Sequence, residues 1–391
     1  MAQAKPRDPE RDSMVRGALR AAGLKAILAW YPEDTVMLGC GWSSLGLAVV
    51  LYPAEAEPIC YAGACEPDDV LPAGFLQRRF AVEPGAWSDL RAKLVSDLVR
   101  LGIDGGDLGV TLDSGQHAVT SFPGESPMLT ESALRDLPGR RPPRDASAVF
   151  ASLARRKTRR EVEAIRLANA AAAAGIEAFH AALVPGATEA EAAAKVECII
   201  QCFSGKQGCR LARGWAHVQG GESIYLGGTH SRSSSLRLAE GDLALLELGT
   251  CVDGYWSDLT RTAGVGKIGE RQHALLSAVK AAQKAAIAAV RPGAAHADVD
   301  AAARASLQEA GYAGGFTHGC GHHVGFSYHD RGPGLGAGNT QPLEPGMVIT
   351  VEPGTYGRAF GGGARFEDNV LVTPSGCEVL SPIAMAWNGD R

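Results

Sequence analysis

Two neighbouring apolar segments each carry an acidic residue at a position that folding would bury. Glu247 lies within residues 243–249 (LALLELG), a short leucine-rich run that is typical of a buried strand. Asp258 lies eleven positions later in residues 254–262 (GYWSDLTRT), whose Tyr, Trp and Thr favour a second strand, and Asp253-Gly254 supplies the turn between them. A hairpin would bring the two acids to the same end of one sheet. Because a buried carboxylate is costly unless it is paired or binds a metal, the pattern predicts one of these two arrangements.

Two later acids and one histidine follow the same logic. Glu352 ends the apolar, β-branched run of residues 347–352, and Glu367 lies in the strand-like residues 364–373, so that each predicted strand carries its own acid. His322 belongs to a histidine-rich stretch, residues 317–330. One divalent ion needs only one or two carboxylates, whereas two adjacent ions need several anionic ligands to offset their mutual repulsion. Four carboxylates and one histidine therefore predict a dinuclear metal site.

Helical patterns precede each group of acid-bearing strands. An alanine-rich helix ends at Pro185-Gly186, and Thr188 then caps a second helix, with Glu191 completing a capping box. Another pair of helices, also separated by a Pro-Gly pair, follows the first two acids. The order helix, Pro-Gly, helix and strands thus occurs twice, which is a weak internal repeat. The predicted helices cover residues 157–183, 188 onward, 270–290 and 297–310.

The first third of the chain has a different pattern, in which strand-like runs alternate with helical ones. A helical start at residues 14–22 precedes strand candidates at 24–30, 47–52 and 108–112, which predicts an α/β domain. Residues 138–145 (PGRRPPRD) break regular structure and are typical of a connection. The sequence therefore predicts two domains, residues 1–150 and 151–391, with a boundary within 140–157.

The composition limits the classes of function. The chain has 391 residues, 46% hydrophobic and 21% charged, which is typical of a globular protein large enough for two cores. A formal net charge of −5 gives no support to a nucleic-acid partner. Residues 1–13 are polar and charged, and no apolar run is long enough to span a bilayer, so we expect no membrane partner and a cytoplasmic location.

The nine cysteines are an odd number and predict a reducing compartment in which most thiols are small, buried packing residues. Cys198, Cys202 and Cys209 lie close together in the sequence, so a thiolate metal site is an alternative. No histidine or second cysteine pair stands at zinc-like spacing to complete it. Cys320 lies inside the histidine cluster, where it is either reactive or a packing residue.

These segments resemble the M24 metallopeptidase family, which contains methionine aminopeptidase, aminopeptidase P and prolidase. The family ligands run Asp, Asp, His, Glu, Glu, with eleven positions between the first two. Asp258, His322, Glu352 and Glu367 match this order, while Glu247 stands where the family has aspartate. The resemblance implies two divalent ions (manganese, cobalt, iron or zinc) that activate a water.

The resemblance also implies an architecture. The expected fold class is α/β (α+β), with a C-terminal pita-bread catalytic domain whose pseudo-twofold agrees with the repeat of helices and strands. A smaller N-terminal α/β domain of this kind is found in the prolidase, aminopeptidase P and creatinase branch. By the same analogy we expect a homodimer.

Roles for other residues follow from the resemblance alone. A metal-binding histidine precedes a substrate-facing one by seven residues in the family, and His322 and His329 have that spacing. His318 resembles a further active-site histidine of aminopeptidase P. Glu352 is expected to move the proton from the water to the leaving nitrogen. His230 is expected to be catalytic or to contact the substrate. Tyr356 and Arg365 are expected to support the metal centre or to bind substrate.

Three functions remain compatible with the sequence. The first is a dinuclear metallopeptidase that cleaves Xaa-Pro bonds in small peptides. The second is an enzyme of the same fold with a small non-peptide substrate, such as a C–N hydrolase like creatinase or ectoine hydrolase, or a lyase like those that cleave dimethylsulfoniopropionate. The third is a non-catalytic binding protein. The four matching ligands favour an enzyme, and the glutamate at position 247 indicates a metal site tuned differently from that of the proline peptidases.

Overall fold

The computed structural model describes residues 6–43, 46–82, 86–112, 141–226, 232–381 and 383. These residues form two compact units, Met1–Arg160 and Glu161–Arg391. The identities predicted for the domains at residues 1–150 and 151–391 stay predictions. Across the described ranges, no helix has both the length and the apolar character needed to cross a bilayer.

The first unit is built on a six-stranded mixed sheet. Its strands β1 to β6 are Ala26–Ala29, Ala48–Pro53, Ile59–Gly63, Leu76–Phe80, Leu108–Val110 and Arg144–Asp145, and its helices α1 to α4 are Pro9–Ala22, Pro32–Met37, Ala86–Arg100 and Ser147–Arg155. The strand order is β4-β3-β2-β1-β5-β6. Strand β1 pairs antiparallel with β2 and parallel with β5, so the predicted alternation of strands and helices is present.

Helix α1 begins five residues before the predicted start at Met14. Asp8 is the N-cap, and its side chain accepts a hydrogen bond from the backbone N–H of Glu10 at 3.0 Å. Pro9 occupies the first helical position, where its fixed φ suits the helix and its missing N–H costs nothing. The Asp-Pro pair was the start signal that the apolar pattern alone did not reveal.

The four predicted helices of the second unit are confirmed to within a few residues. They are α5 Arg159–Ala182, α6 Glu189–Gln201, α7 Glu270–Ala289 and α8 His296–Glu309. The predicted capping box is also present, because the backbone N–H of Glu191 donates to Thr188 Oγ1 at 3.1 Å and the backbone N–H of Thr188 donates to Glu191 Oε2 at 2.8 Å.

The strands of the second unit form three small sheets. Strands β7 Ala212–Gly220, β8 Leu243–Val252 and β9 Tyr255–Gly264 are antiparallel, and β8 and β9 are the predicted hairpin. The later strands are β10 Val348–Val351, β11 Gly354–Gly357, β12 Gly362–Arg365, β13 Asp368–Thr373 and β14 Gly376–Val379. A second sheet has the order β10-β13-β14, and β11 pairs with β12.

The prediction of one strand over residues 364–373 was wrong. The chain leaves β12 after Arg365 and enters β13 at Asp368, so Glu367 lies between two strands. Its backbone N–H donates to Thr260 O at 3.1 Å, which attaches this break to strand β9. Glu352 likewise lies just beyond β10, so these two acids follow or separate strands instead of lying within them.

The two faces of β8 pack on different apolar layers. Leu246 and Leu248 join the buried cluster formed with helices α5 and α6. Leu243 and Leu245 join the cluster formed with α7, α8 and the later strands. Since side chains alternate along a strand, Glu247 shares the face of Leu245 and lies away from α5 and α6.

The described cysteines are all free thiols, and five of the nine are buried. Cys320 is completely buried within the apolar cluster of α7 and α8, and burial raises the pKa of its thiol. Of the two alternatives for Cys320, packing is therefore favoured.

Candidate metal centre

The hairpin places the first two acids on one face, near its middle. Glu247 pairs with Thr260 and Asp258 pairs with Gly249, so the acids lie two residue pairs apart on neighbouring strands. We expected the two acids at one end of the sheet, which was wrong. The β8–β9 pairing continues for six residue pairs on one side of the Gly249–Asp258 pair and for three on the other. Glu247 is 8% exposed and Asp258 is 1% exposed, so both carboxylates are withdrawn from water.

Glu367 and Glu352 join this face from the later sheets. Thr260 Oγ1 lies 2.7 Å from Glu367 Oε2 and 3.0 Å from Glu247 Oε2, so one hydroxyl connects the two acids. Glu352 Oε1 accepts a weak hydrogen bond from Thr350 Oγ1 at 3.4 Å. The break between β12 and β13 is what allows Glu367 to reach the hairpin.

His322 completes the cluster, and its hydrogen bonds define which nitrogen faces the acids. Its Nε2 lies 3.2 Å from Asp258 Oδ2 and 3.5 Å from Glu352 Oε1. Its Nδ1 lies 2.9 Å from the carbonyl oxygen of His323, to which it donates. With the proton on Nδ1, the lone pair of Nε2 is available to a cation between the acids.

The other histidines have different surroundings. His323 is 1% exposed and its Nε2 lies 3.2 Å from Nε2 of His296, away from the acids. His329 Nε2 lies 3.9 Å from Asp258 Oδ2, beyond hydrogen-bond distance, and its ring centre is 3.7 Å from that of His322. His230, the remaining predicted catalytic residue, lies outside the described residues.

A chain of hydrogen bonds connects the predicted substrate-binding residues. Arg365 Nη1 donates to the Tyr356 hydroxyl at 3.1 Å, and that hydroxyl lies 3.1 Å from His318 Nε2. His318 Nδ1 donates to Gly319 O at 2.8 Å, which leaves Nε2 as the acceptor. Burial lowers the pKa of His318, in agreement with a neutral ring that accepts from tyrosine.

The donor set fits a metal. Three groups of side chains each bring ligand atoms within 4.8 Å of one another: Asp258, His322 and His329; His322, Glu352 and Glu367; and Glu247, Asp258 and Glu367. Two of the carboxylate oxygens, Asp258 Oδ1 and Glu367 Oε1, are buried and have no hydrogen-bond donor among the described residues. Since an orphaned buried carboxylate oxygen is costly, a cation is the partner that these oxygens lack.

The electrostatics also favour a cation. Burial is the largest cause of the raised pKa values of Asp258, Glu352 and Glu367, and neighbouring carboxylates add to it for Asp258 and Glu352. Arg365 is 2% exposed and forms an ion pair with Glu247, while burial lowers the pKa of its guanidinium to about 10. One arginine against four carboxylates leaves an excess of negative charge that divalent ions would offset.

Several residues that hold the site in place were not found from the sequence. Asn369 Nδ2 donates to the carbonyl oxygen of Asp258 at 2.7 Å. Arg261 donates to Glu367 O at 2.6 Å and to Asp368 Oδ1 at 2.7 Å, and it is 1% exposed. Polar residues inside apolar strands were the available signal, since a buried polar group needs a defined partner.

Comparisons with known proteins agree with this geometry. The model of metallopeptidase family M24 matches residues 163–374, more than half of the chain. A putative dipeptidase, YkvY, of Bacillus subtilis is 37% identical over 221 residues, 56% of this chain and 59% of the relative. An Xaa-Pro dipeptidase of Pyrococcus furiosus is 35% identical over 225 residues, 58% of this chain and 62% of the relative. The chain thus spans about three fifths of the length of these curated relatives.

Solved structures extend the likeness to nearly the whole chain. A dipeptidase from Pyrococcus horikoshii OT3 superposes with a TM-score of 0.76 at 26% identity, over 96% of this chain and 98% of that one. Dipeptidase PepE from Mycobacterium ulcerans superposes with a TM-score of 0.70 at 28% identity, over 97% and 96%. The expected pita-bread α/β fold is therefore confirmed. The chain belongs to metallopeptidase family M24.

Proposed function

We propose that this chain is a metal-dependent peptidase that cleaves Xaa-Pro bonds in small peptides, as an aminopeptidase P or a prolidase does. The observation that carries the proposal is the convergence of Asp258, His322, Glu352 and Glu367, with Glu247 beside them, around carboxylate oxygens that have no donor among the described residues. The names of the relatives supply the substrate class, since they include an Xaa-Pro dipeptidase.

We infer that these five residues hold two divalent ions, of manganese, cobalt, iron or zinc. Glu247, Asp258 and Glu367 form one ligand group, and His322, Glu352 and Glu367 form another. Divalent ions in such a site supply Lewis-acid chemistry, because they acidify a water and polarise a carbonyl.

We also propose that the protein is a cytoplasmic homodimer. Residues 1–150 would form a creatinase-like or prolidase-like domain, and residues 151–391 would form the catalytic domain.

The residues of the chain supply the proton transfers. In the metal-free protein, burial and the neighbouring Glu367 raise the pKa of Glu352. Glu352 would take the proton of the attacking water and pass it to the leaving nitrogen. The side chain of His329 is one third exposed and would donate to the carbonyl oxygen as negative charge develops there. His230 has the same proposed role, and His318, Tyr356 and Arg365 would bind the substrate.

Metal content and peptide cleavage test the proposal together. Protein purified without added metal is analysed for bound ions, chelated, reloaded with each of the four metals, and assayed on Ala-Pro and on an Xaa-Pro-Yaa tripeptide. We expect activity to disappear on chelation and to return on reloading. Tight metal binding without cleavage of either peptide would contradict the peptidase proposal and favour a small non-peptide C–N substrate.

The proposed proton carrier is tested by Glu352→Gln. Loss of a general base lowers kcat by about 10²- to 10⁴-fold. Glu309→Gln, an exposed residue at the end of α8, is the control and should leave kcat unchanged. Full turnover by the Glu352→Gln protein would exclude the assigned role.

Light scattering of the wild-type chain tests the proposed dimer. The expected result is a mass twice that of one chain.

A further inference from the structure

Both oxygens of the Glu247 carboxylate have polar contacts, unlike those of Asp258 and Glu367. Its Oε1 accepts a hydrogen bond from the Tyr328 hydroxyl, and its Oε2 lies 3.0 Å from Thr260 Oγ1 and forms the ion pair with Arg365. Asp258 and Glu367, in contrast, each keep one buried oxygen without a donor among the described residues. Glu247 is also the ligand candidate with one methylene more than the aspartate of the family, and therefore one more rotatable bond to restrain.

Tyr328 is fixed in place by its surroundings. The residue is 0% exposed, and its ring lies against Gly249, where an added Cβ would be 2.8 Å from the ring atoms Cδ2 and Cε2. The ring stacks on His329 with 4.8 Å between centres, and it meets Trp215 and Trp256 edge-on at 5.3 Å and 6.1 Å. A ring enclosed on several sides restricts the position of its hydroxyl oxygen. That hydroxyl donates to Glu247 and also interacts with the carboxylate of Asp258.

We propose that Tyr328 is a positioning residue that holds the longer Glu247 carboxylate in the orientation needed to bind the adjacent ion. Gly249 provides the room for the tyrosine ring, and the hydroxyl removes the freedom that the extra methylene introduces. This inference rests on the proposed metal-dependent function, because it concerns the affinity of the same site. It assigns a glutamate and a tyrosine of this chain that act together in the site.

Manganese binding to the metal-free protein measures the effect directly. Mn²⁺ is titrated into chelated wild-type and Tyr328→Phe protein, with free Mn²⁺ followed by electron paramagnetic resonance, and thermal unfolding of both metal-free proteins is recorded. Tyr328→Phe keeps the ring and removes only the hydroxyl. In the Tyr328→Phe protein we expect the ion beside Glu247 to bind 10- to 100-fold more weakly and the other ion to bind as before. This is the usual loss of affinity when a residue that hydrogen-bonds to a metal ligand is removed.

Tyr61→Phe is the matched control. Tyr61 is also 0% exposed, and its hydroxyl donates to the buried carboxylate of Asp97 at 2.9 Å in the first unit. Its removal should lower the unfolding temperature without changing the Mn²⁺ affinities. Equal Mn²⁺ affinities of Tyr328→Phe and wild type, within twofold, would overturn the inference and leave the metal site intact. A wild-type chain that binds none of Mn²⁺, Co²⁺, Fe²⁺ and Zn²⁺ would instead overturn the proposed function and this inference with it.

A double-mutant cycle shows whether Tyr328 acts through Glu247. Aspartate at position 247 is too short to keep the tyrosine contact, so Glu247→Asp should weaken the same ion, and adding Tyr328→Phe should change the affinity by less than twofold more. If Tyr328→Phe instead causes the same fold-loss with aspartate as with glutamate at position 247, the hydroxyl does not act through Glu247 and the proposal fails.

Discussion

Replacing Thr260 by valine isolates one hydroxyl that connects two acids of the metal site. Thr260 Oγ1 lies 2.7 Å from Glu367 Oε2 and 3.0 Å from Glu247 Oε2, and it accepts from Arg365 Nε at 2.9 Å. The residue is 0% exposed, so no bulk water can replace the hydroxyl once it is removed. Valine has the same branched shape, and the change therefore removes hydrogen bonds without opening a cavity.

The size of the effect follows from the number of contacts. A hydroxyl has a single proton and donates to one carboxylate at a time, so the substitution removes one charge-assisted donor and one acceptor. A buried group left without its partner costs about 1–3 kcal/mol. At about 1.4 kcal/mol per factor of ten, metal affinity should fall roughly 5- to 150-fold. The metal-free protein should also lose stability, because Arg365 Nε loses its acceptor, and the metal-bound protein should lose more, since only a cost added on binding lowers the affinity.

Calorimetric titration of chelated Thr260→Val with Mn²⁺, together with urea unfolding of the metal-free protein, measures both quantities. Thr250→Val is the matched control: Thr250 lies on the paired strand, is 0% exposed, and its hydroxyl has no hydrogen-bond partner in the described part of the chain. That control should be as stable as wild type, or slightly more so, with unchanged affinity. If both variants bind Mn²⁺ like wild type, the hydroxyl at 260 does not organise the ligands and the reasoning is refuted.

Four further results are expected. Asn369→Ala frees the backbone of Asp258 and should weaken Mn²⁺ binding about 10- to 100-fold in calorimetry; an affinity within twofold of wild type would contradict this. Arg261→Met leaves Asp368 buried without its cation and should cost about 3–5 kcal/mol in urea unfolding, whereas a loss below 1 kcal/mol would show the pair to be dispensable. Thr188→Ala removes the cap of α6 and should cost about 1 kcal/mol with unchanged Mn²⁺ affinity, so altered metal binding would argue against a purely local role. Asp258, Glu352 and Glu367 have raised pKa values, so they bind protons more tightly in the folded metal-free protein than in the unfolded chain. Their protonation therefore stabilises the metal-free fold fully below the ordinary pKa values of 3.8 to 4.5. This stabilisation is lost as the pH rises towards the raised values. Divalent ions require the deprotonated acids, so the rise in unfolding temperature caused by Mn²⁺ should be larger at pH 8 than at pH 5; a rise independent of pH would contradict these shifts.

Local signals in the sequence predicted the elements that local interactions determine. The capping box at Thr188 and Glu191 marks the start of α6 because both partners lie within one helical turn. The turn at Asp253-Gly254 and the leucine-rich run before it predicted the β8–β9 hairpin for the same reason. The spacing of His322 and His329 indicated which histidine faces the acids, although only the resemblance to a family gave that spacing a meaning.

Features that depend on contacts between distant residues could not be predicted. The chain breaks at Glu367 because its backbone bonds to Thr260, 107 positions earlier, and nothing in residues 364–373 reveals that partner. His322 and His323 are adjacent and chemically identical, yet one faces the acids and the other faces His296. The role of Asn369, which binds the backbone of Asp258, could not be predicted for the same reason. A buried amide in a strand indicates that a partner exists without identifying it.

The polar contacts of Glu247 are compatible with its proposed role as a metal ligand. An extra methylene moves a carboxylate by about 1.5 Å, which is more than half of a typical bond between a divalent ion and oxygen. Tyr328, Thr260 and Arg365 converge on this carboxylate from a loop, the paired strand and strand β12. Each donor lies on a different element, so the orientation of the carboxylate is determined by the tertiary fold. Under the proposed metal-binding role of Glu247, the site is built around a longer ligand, and its ion affinities should differ from those of a site with aspartate at this position.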